Sequence, residues 1–157
     1  MELIRKPSVG CFFCEYIHQE KDRENLILER GKKSFVILNR YPYNNGHLMV
    51  VPYEHTGDMS QLSPAVRSSL MEYTTRWQSI LQSSLKAQGV NIGINIGKVA
   101  GAGVGEHVHI HIVPRWLGDV NFMPVVGDIK IINQSLDDLY EQLVQFARGI
   151  PLPVELE

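Results

Sequence analysis

Apolar and polar residues alternate with a period of two in several short stretches of the chain, and with a helical period in two longer ones. "NLILER" (25–30) and "SFVILNRY" (34–41) read as strands, with "GKK" between them as a hairpin turn. "PYNNG" (42–46) is turn chemistry, and "HLMVVPY" (47–53) resumes as a strand. Ser63 can cap a helix that begins at Pro64 and runs to about Gln88. Val66, Leu70, Tyr73, Trp77, Ile80 and Leu81 would share one side of it, and Gly89 would stop it. "NIGINIG" (91–97) alternates again as a strand. In "GEHVHIHIVPRW" (105–116) the β-branched Val108, Ile110 and Ile112 alternate with His107, His109 and His111. Alternation places the three imidazoles on one face of a strand and the branched residues on the core face. A last helix starts at the cap Ser135, carries Asp137 and Asp138 in its first turn and ends near Arg148. Hairpin-connected strands interrupted by one long helix predict an α+β fold: an antiparallel sheet with one long helix and a C-terminal helix, in a single domain over 1–157.

Composition narrows the partners more than the fold. The 157 residues are 44% hydrophobic and 20% charged, a globular composition rather than a disordered one. The formal net charge of −2 supplies no basic field that would draw the chain to nucleic acid or a membrane. No apolar run approaches the roughly 20 residues needed to span a bilayer, and "MELIRKPSVG" has no signal-peptide core, so a cytoplasmic setting is expected. The two cysteines, Cys11 and Cys14 in "CFFC", are then a redox pair, half of a metal site, or inert thiols, since a stable disulfide is disfavoured in a reducing compartment.

Half of the six histidines lie between positions 107 and 111. Three imidazoles on one strand face can bind metal or act in nucleophilic catalysis, where one attacks and its neighbours orient it or hold the substrate. One ion is awkward for all three, because side chains two apart on a strand are rooted about 6–7 Å apart. The preceding loop, "GKVAGAGVGEH" (97–107), lets backbone amides approach an anion closely, and Lys98 adds charge; it lacks the Lys-Ser/Thr ending of a P-loop. A glycine loop joined directly to the imidazoles suggests a phosphate held against a histidine nucleophile.

These residues carry a family resemblance. "HVHIHIV" (107–113) resembles the histidine-triad (HIT) pattern of three histidines alternating with apolar residues, and "LNRYPYNNGHLMVVPYEH" (38–55) resembles that family's upstream strand pair. "VPRWLGDVNFMPV" (113–125) is similar to its bacterial dinucleoside-polyphosphate branch, in which Trp116, Gly118, Asp119, Asn121 and Phe122 point toward diadenosine tetraphosphate hydrolases or phosphorylases. The resemblance spans about residues 11 to 135. It implies a nucleotidyl hydrolase or transferase that attacks an α-phosphate through a covalent nucleotidyl–histidine intermediate. His109 would be the nucleophile, His111 would bind phosphate oxygens and the leaving group, and His107 would lie behind the nucleophile and fix its orientation. Asn39 matches a ribose-binding position, Asn95 a polar residue near the phosphate and His47 a supporting histidine, with Gly103 and Gly105 in the phosphate loop. From the residues alone, Asn39 and Asn95 read rather as strand-end or turn asparagines.

The same resemblance bears on "CFFC". In zinc-bearing HIT proteins the partners of such a pair match His55 and His107, so a structural zinc held by Cys11, Cys14, His55 and His107 is expected. It also implies a two-fold homodimer through the long helix and a sheet edge, to which Leu70, Tyr73 and Trp77 would contribute unless they serve the core. Water and phosphate remain equal candidates for the acceptor, the physiological substrate and its base are open, and a slow-turnover nucleotide-binding or scaffold protein is the alternative function.

Overall fold

A computed structural model describes residues 10–103, 106–119 and 134–154. In chain order the elements are α1 (Phe12–Ile17), α2 (Asp22–Asn25), β1 (Ile27–Arg30), β2 (Ser34–Leu38), β3 (Leu48–Pro52), α3 (Pro64–Ser84), β4 (Gly89–Ile94), β5 (Ile110–Arg115) and α4 (Leu136–Ala147). The strands form one five-stranded sheet in the order β1-β2-β3-β5-β4, antiparallel throughout. The α+β architecture read from the sequence is the one observed.

Every residue of β2 and β3 is buried, because both faces of the sheet centre are covered. α3 lies against β2, β3 and β5 on one face, and the side predicted from its periodicity is the buried one: Val66, Leu70, Tyr73, Trp77, Ile80 and Leu81. Leu70, Tyr73 and Trp77 are at most 1% exposed, so they belong to the core and not to a contact between subunits. On the opposite face α1 drives Phe13 against Phe35, with ring centroids 6.2 Å apart. Register explains which residues share that face: Ile37 pairs with Met49, Met49 with His111, and His111 with Gly93, and directly paired residues point the same way. Ile110 and Ile112, on the α3 face, are at most 1% exposed.

Both predicted caps form. The Ser63 hydroxyl accepts from the Val66 amide at 3.2 Å and the Ser135 hydroxyl from the Asp138 amide at 3.1 Å. Three boundaries differ from expectation. α3 ends at Ser84 rather than near Gln88, because Lys86 turns to φ +56° and the Gln88 amide already bonds the Arg115 carbonyl at 3.0 Å; Gly89 opens β4 instead of stopping the helix. β4 therefore covers 89–94 rather than 91–97. β5 begins at Ile110, so His107 and His109 precede the ladder, and the Val108 amide bonds the Thr56 carbonyl at 2.7 Å. α1 and α2 were not legible in the residue pattern.

One buried ion pair crosses the fold. Arg76 of α3 donates from Nε and Nη2 to the Glu29 carboxylate of β1 at 3.0 and 2.9 Å, and Trp77 Nε1 donates to the same group at 2.8 Å. Arg76 also donates to the carbonyls of Ala147, Ile150 and Pro151, where α4 ends. Among the described residues no helix is long and apolar enough to cross a membrane.

Candidate functional site

The segment 107–111 divides its three imidazoles between two sites. His107 is fully buried and turns away from its neighbours. Its Nε2 lies 2.9 Å from the Pro52 carbonyl, which can only accept, so the hydrogen sits on Nε2 and Nδ1 keeps its lone pair. That Nδ1 is 3.4 Å from Cys11 Sγ, 3.6 Å from Cys14 Sγ and 3.3 Å from His55 Nδ1, and Cys14 Sγ is 3.3 Å from His55 Nδ1. The four ligand atoms all lie within 4.8 Å of one another.

This set fits a tetrahedral metal ion. Bonds of about 2.3 Å to sulfur and about 2.0–2.1 Å to nitrogen at a tetrahedral angle place the ligand atoms roughly 3.3–3.8 Å apart, and the four separations from His107 Nδ1 and between Cys14 and His55 fall within that range. Soft thiolates paired with imidazoles select zinc among the common divalent ions, and the Pro52 carbonyl behind His107 is the outer partner such a ligand needs. Burial lowers the His107 pKa to about 4 and pushes the Cys11 thiol up. Both groups thus stay neutral without a cation, and a bound ion would draw the thiols to thiolates. Cys11, just ahead of α1, and Cys14 within it bring the N-terminal segment to the sheet.

His109 and His111 form the second site, with ring centroids 4.6 Å apart. His109 Nδ1 lies 2.9 Å from the His107 carbonyl, so Nδ1 carries the hydrogen and Nε2 is a free lone pair. His111 is set by a longer relay. The Tyr43 amide donates to His47 Nδ1 at 2.9 Å, which puts the His47 hydrogen on Nε2. His47 Nε2 in turn donates to His111 Nδ1 at 2.9 Å, so His111 holds its own hydrogen on Nε2, the outward nitrogen. Buried neutral imidazoles sustain this pattern: burial lowers the His109 pKa, and burial with the neighbouring His109 lowers that of His111 to about 4. A lone pair on one ring thus stands beside an N–H donor on the next, the pairing that attack on a phosphorus centre requires.

Asn39 joins the same site. Its Nδ2 is 3.4 Å from His47 Nδ1, and the residue lines a cavity of about 240 Å³ with Phe12, Tyr16, Ile37, Tyr41 and Met49. Asn95 braces the glycine loop, donating from Nδ2 to the Gly101 carbonyl at 3.4 Å. The positive φ values that the loop composition suggests occur at Gly97 (+82°) and Gly101 (+83°). Gly103 is exposed at the loop's far end, and Gly105, Asn121 and Phe122 lie outside the described residues. Two participants had no distinct signal in the sequence: the Tyr43 amide and the carbonyl of His107, both backbone groups.

The comparisons with known proteins agree with this geometry. A family profile described as "HIT domain" matches residues 20–116. Residues of this chain are 42% identical over 122 positions to an AP-4-A phosphorylase of Mycobacterium tuberculosis, covering 78% of this chain and 63% of that protein. They are 32% identical over 115 positions to the bis(5'-nucleosyl)-tetraphosphatase [asymmetrical] of Schizosaccharomyces pombe, covering 73% and 63%. The chain thus spans less than two thirds of these relatives. A crystal structure of a Zn-bound histidine triad family protein from Mycobacterium smegmatis superposes with a TM-score of 0.73 at 26% identity, covering 89% of this chain and 94% of that one. With its profile matched over more than half its length and its histidines in this arrangement, the chain belongs to the HIT family.

Proposed function

We propose that the protein cleaves dinucleoside polyphosphates, of which diadenosine tetraphosphate is the type, through a covalent nucleotidyl–histidine intermediate. The observation that carries this reading is the hydrogen bond from His109 Nδ1 to the His107 carbonyl, which leaves His109 Nε2 as an aimed lone pair next to the His111 N–H. His109 Nε2 attacks the α-phosphorus; the N–P bond forms as the P–O bond to the leaving nucleoside polyphosphate breaks. His111 Nε2–H donates to the phosphate oxygens, on which charge grows, and to the departing oxygen. An acceptor then attacks the phosphorus from the other side and releases His109. The backbone amides of the 97–103 loop supply further donors, and the cavity beside Asn39 suits a nucleoside: apolar walls for a base and an amide for ribose hydroxyls.

Similarity to the phosphorylase exceeds similarity to the tetraphosphatase, 42% against 32%, which favours phosphate over water as the acceptor. Product analysis with diadenosine tetraphosphate, with and without added phosphate, separates the two: ADP and ATP mark phosphorolysis, AMP and ATP hydrolysis. For the nucleophile, His109→Ala is expected to lower turnover on the order of 10³-fold or more while nucleotide binding persists. A variant that keeps more than about a tenth of the wild-type rate would overturn the assignment.

The cluster of Cys11, Cys14, His55 and His107 holds a structural zinc in this reading. Its four protein donors leave no open position for water, so the ion supplies cohesion and no reaction step. Two thiols that await a metal suit a reducing cytoplasm. A two-fold homodimer through the edge strand β4 completes the proposal: Ile92 and Ile94 stand 45% and 37% exposed on that edge, and an uncovered strand offers its ladder to a second copy. Light scattering at micromolar concentration should report twice the chain mass.

A further inference from the structure

Asp119 lies well beyond the triad in sequence, yet it anchors the turn that programs it. Its Oδ2 accepts from Asn44 Nδ2 at 2.8 Å, from Arg115 Nε at 2.7 Å and from the Trp116 amide at 3.1 Å, while Oδ1 accepts from Arg115 Nη2 at 2.9 Å. Asn44 spends its second amide hydrogen on the Pro114 carbonyl at 3.1 Å. Asn44 is also the turn itself: its backbone carbonyl accepts from the His47 amide at 3.1 Å, and its Oδ1 accepts from the Asn45 amide at 3.0 Å. The next residue upstream, Tyr43, gives the amide that bonds His47 Nδ1. Arg115 reaches on to Asn91 Oδ1 at 3.2 Å, so the same carboxylate is tied to β4.

We propose that Asp119 is a positioning residue: by clamping Asn44 to the end of β5 it holds the Tyr43 amide on His47, and so keeps the His111 hydrogen on the nitrogen that meets the phosphate. The inference rests on the role given to His111 above. The consequence of losing the clamp is specific. Once the Tyr43 amide moves off, His47 can carry its hydrogen on Nδ1 and present Nε2 as an acceptor. His111 then donates from Nδ1 to His47, and its outward Nε2 becomes a lone pair facing phosphate oxygens. The donor is replaced by an acceptor with no change of residue. Asn39 Nδ2, 3.4 Å from His47 Nδ1, opposes the switch only weakly at that length. The carboxylate is suited to a permanent clamp, because Arg115 beside it lowers its pKa to about 2 and it stays charged across the working range.

The test reads the tautomers directly. Long-range ¹H–¹⁵N spectra of the imidazoles of the ¹⁵N-labelled protein at neutral pH should show His47 and His111 in the Nε2–H form. Asp119→Ala should bring a second, Nδ1–H population at both rings, and in turnover of diadenosine tetraphosphate a fall in kcat of roughly tenfold to a hundredfold with little change in KM. Asp119→Asn retains an oxygen for Asn44 and should restore most of both. Asn44→Ala cuts the same link from the other side and serves if Asp119→Ala does not fold. Wild-type nitrogen shifts at His47 and His111 in whichever of these two variants folds would overturn the proposal, even if stability or rate were reduced. Wild-type protein that does not turn over the dinucleotide would refute the proposed function alone, since the nitrogen shifts are measured without substrate.

Discussion

The pair Glu29–Arg76 offers the sharpest test of how the fold is held, and Glu29→Leu is the perturbation. The Arg76 side chain is 5% exposed and that of Glu29 12%, so neither charge finds water if its partner is removed. Breaking a buried pair by deleting one partner costs about 3–5 kcal/mol. Arg76 would keep three carbonyl acceptors at the end of α4, which places its share near 3 kcal/mol, the lower end of that range. Trp77 Nε1 loses its acceptor as well, adding about 1–3 kcal/mol. The two losses share one carboxylate and add incompletely, so about 4 kcal/mol is expected in all. At about 2–4 °C per kcal/mol for a domain of this size, the melting temperature should fall by about 8–16 °C. Urea unfolding followed by circular dichroism measures the change, with an unaltered m-value showing that the folded state is otherwise intact. The double variant Glu29→Leu/Arg76→Met removes both charges and should recover more than half of the loss, because the penalty lies in the orphaned cation. A single variant within about 1 kcal/mol of wild type, or a double variant no better than the single, would refute this account of the interior.

Three further outcomes follow from the same structure. Elemental analysis of protein purified without chelator should find one zinc per chain, and chelation or Cys14→Ser should lower the melting temperature more than it changes the chemistry at His109; absence of stoichiometric zinc would reduce "CFFC" to a buried corner. Gly46→Ala should destabilise by about 2–3 kcal/mol, since Gly46 holds φ +78° and an added Cβ would meet Leu85 Cδ1 at 2.6 Å and Pro114 Cγ at 3.1 Å; differential scanning calorimetry reads it. His111, with a pKa lowered by burial to about 4, binds its proton more weakly in the folded than in the unfolded chain, where the pKa is about 6.5. Its contribution is therefore complete above about pH 6.5 and is lost as pH falls toward 4, so urea midpoints should decline over that window, and less so in His111→Gln.

Where residues repeat with a period, the sequence alone discloses the element they build. The six apolar positions of α3, the caps Ser63 and Ser135, and the buried set of Val108, Ile110 and Ile112 all follow from spacing and local chemistry. Spacing also predicted one imidazole face, and there it went too far. Alternation fixes the direction of side chains only while the backbone stays in a ladder, and the ladder starts at Ile110. Ahead of it His107 is free to turn toward Cys11 and Cys14, whose approach depends on α1, a short helix with no period to reveal it. Contacts distant along the chain left no trace: Glu29 and Arg76 are 47 residues apart and Asn44 and Asp119 are 75 apart. Each of these residues looks like an ordinary surface charge or turn former until the fold makes them neighbours.

His107 is where the two sites meet, and its atoms keep them chemically separate. The ring meets the cluster of Cys11, Cys14 and His55 through Nδ1 and the β3 carbonyl of Pro52 through Nε2. The backbone carbonyl serves His109. A lone pair given to a metal by the ring is not withdrawn from the carbonyl, since the sp³ Cα and Cβ insulate the two groups. An ion bound there would therefore act on His109 by fixing where the His107 backbone lies, and not through the bonds of the residue. Phe13, within α1 beside Cys14, shares that task, for its ring is 5.3 Å from the centroids of both His107 and His109. The segment that brings the cysteines to the sheet is thus also the roof over the His109 imidazole. In the proposed reading the metal set and His109 are linked through packing and position, by way of the His107 backbone and Phe13. For that reason, in the proposed reading, removing the zinc should first be felt as mobility of α1 and only then as a slower reaction.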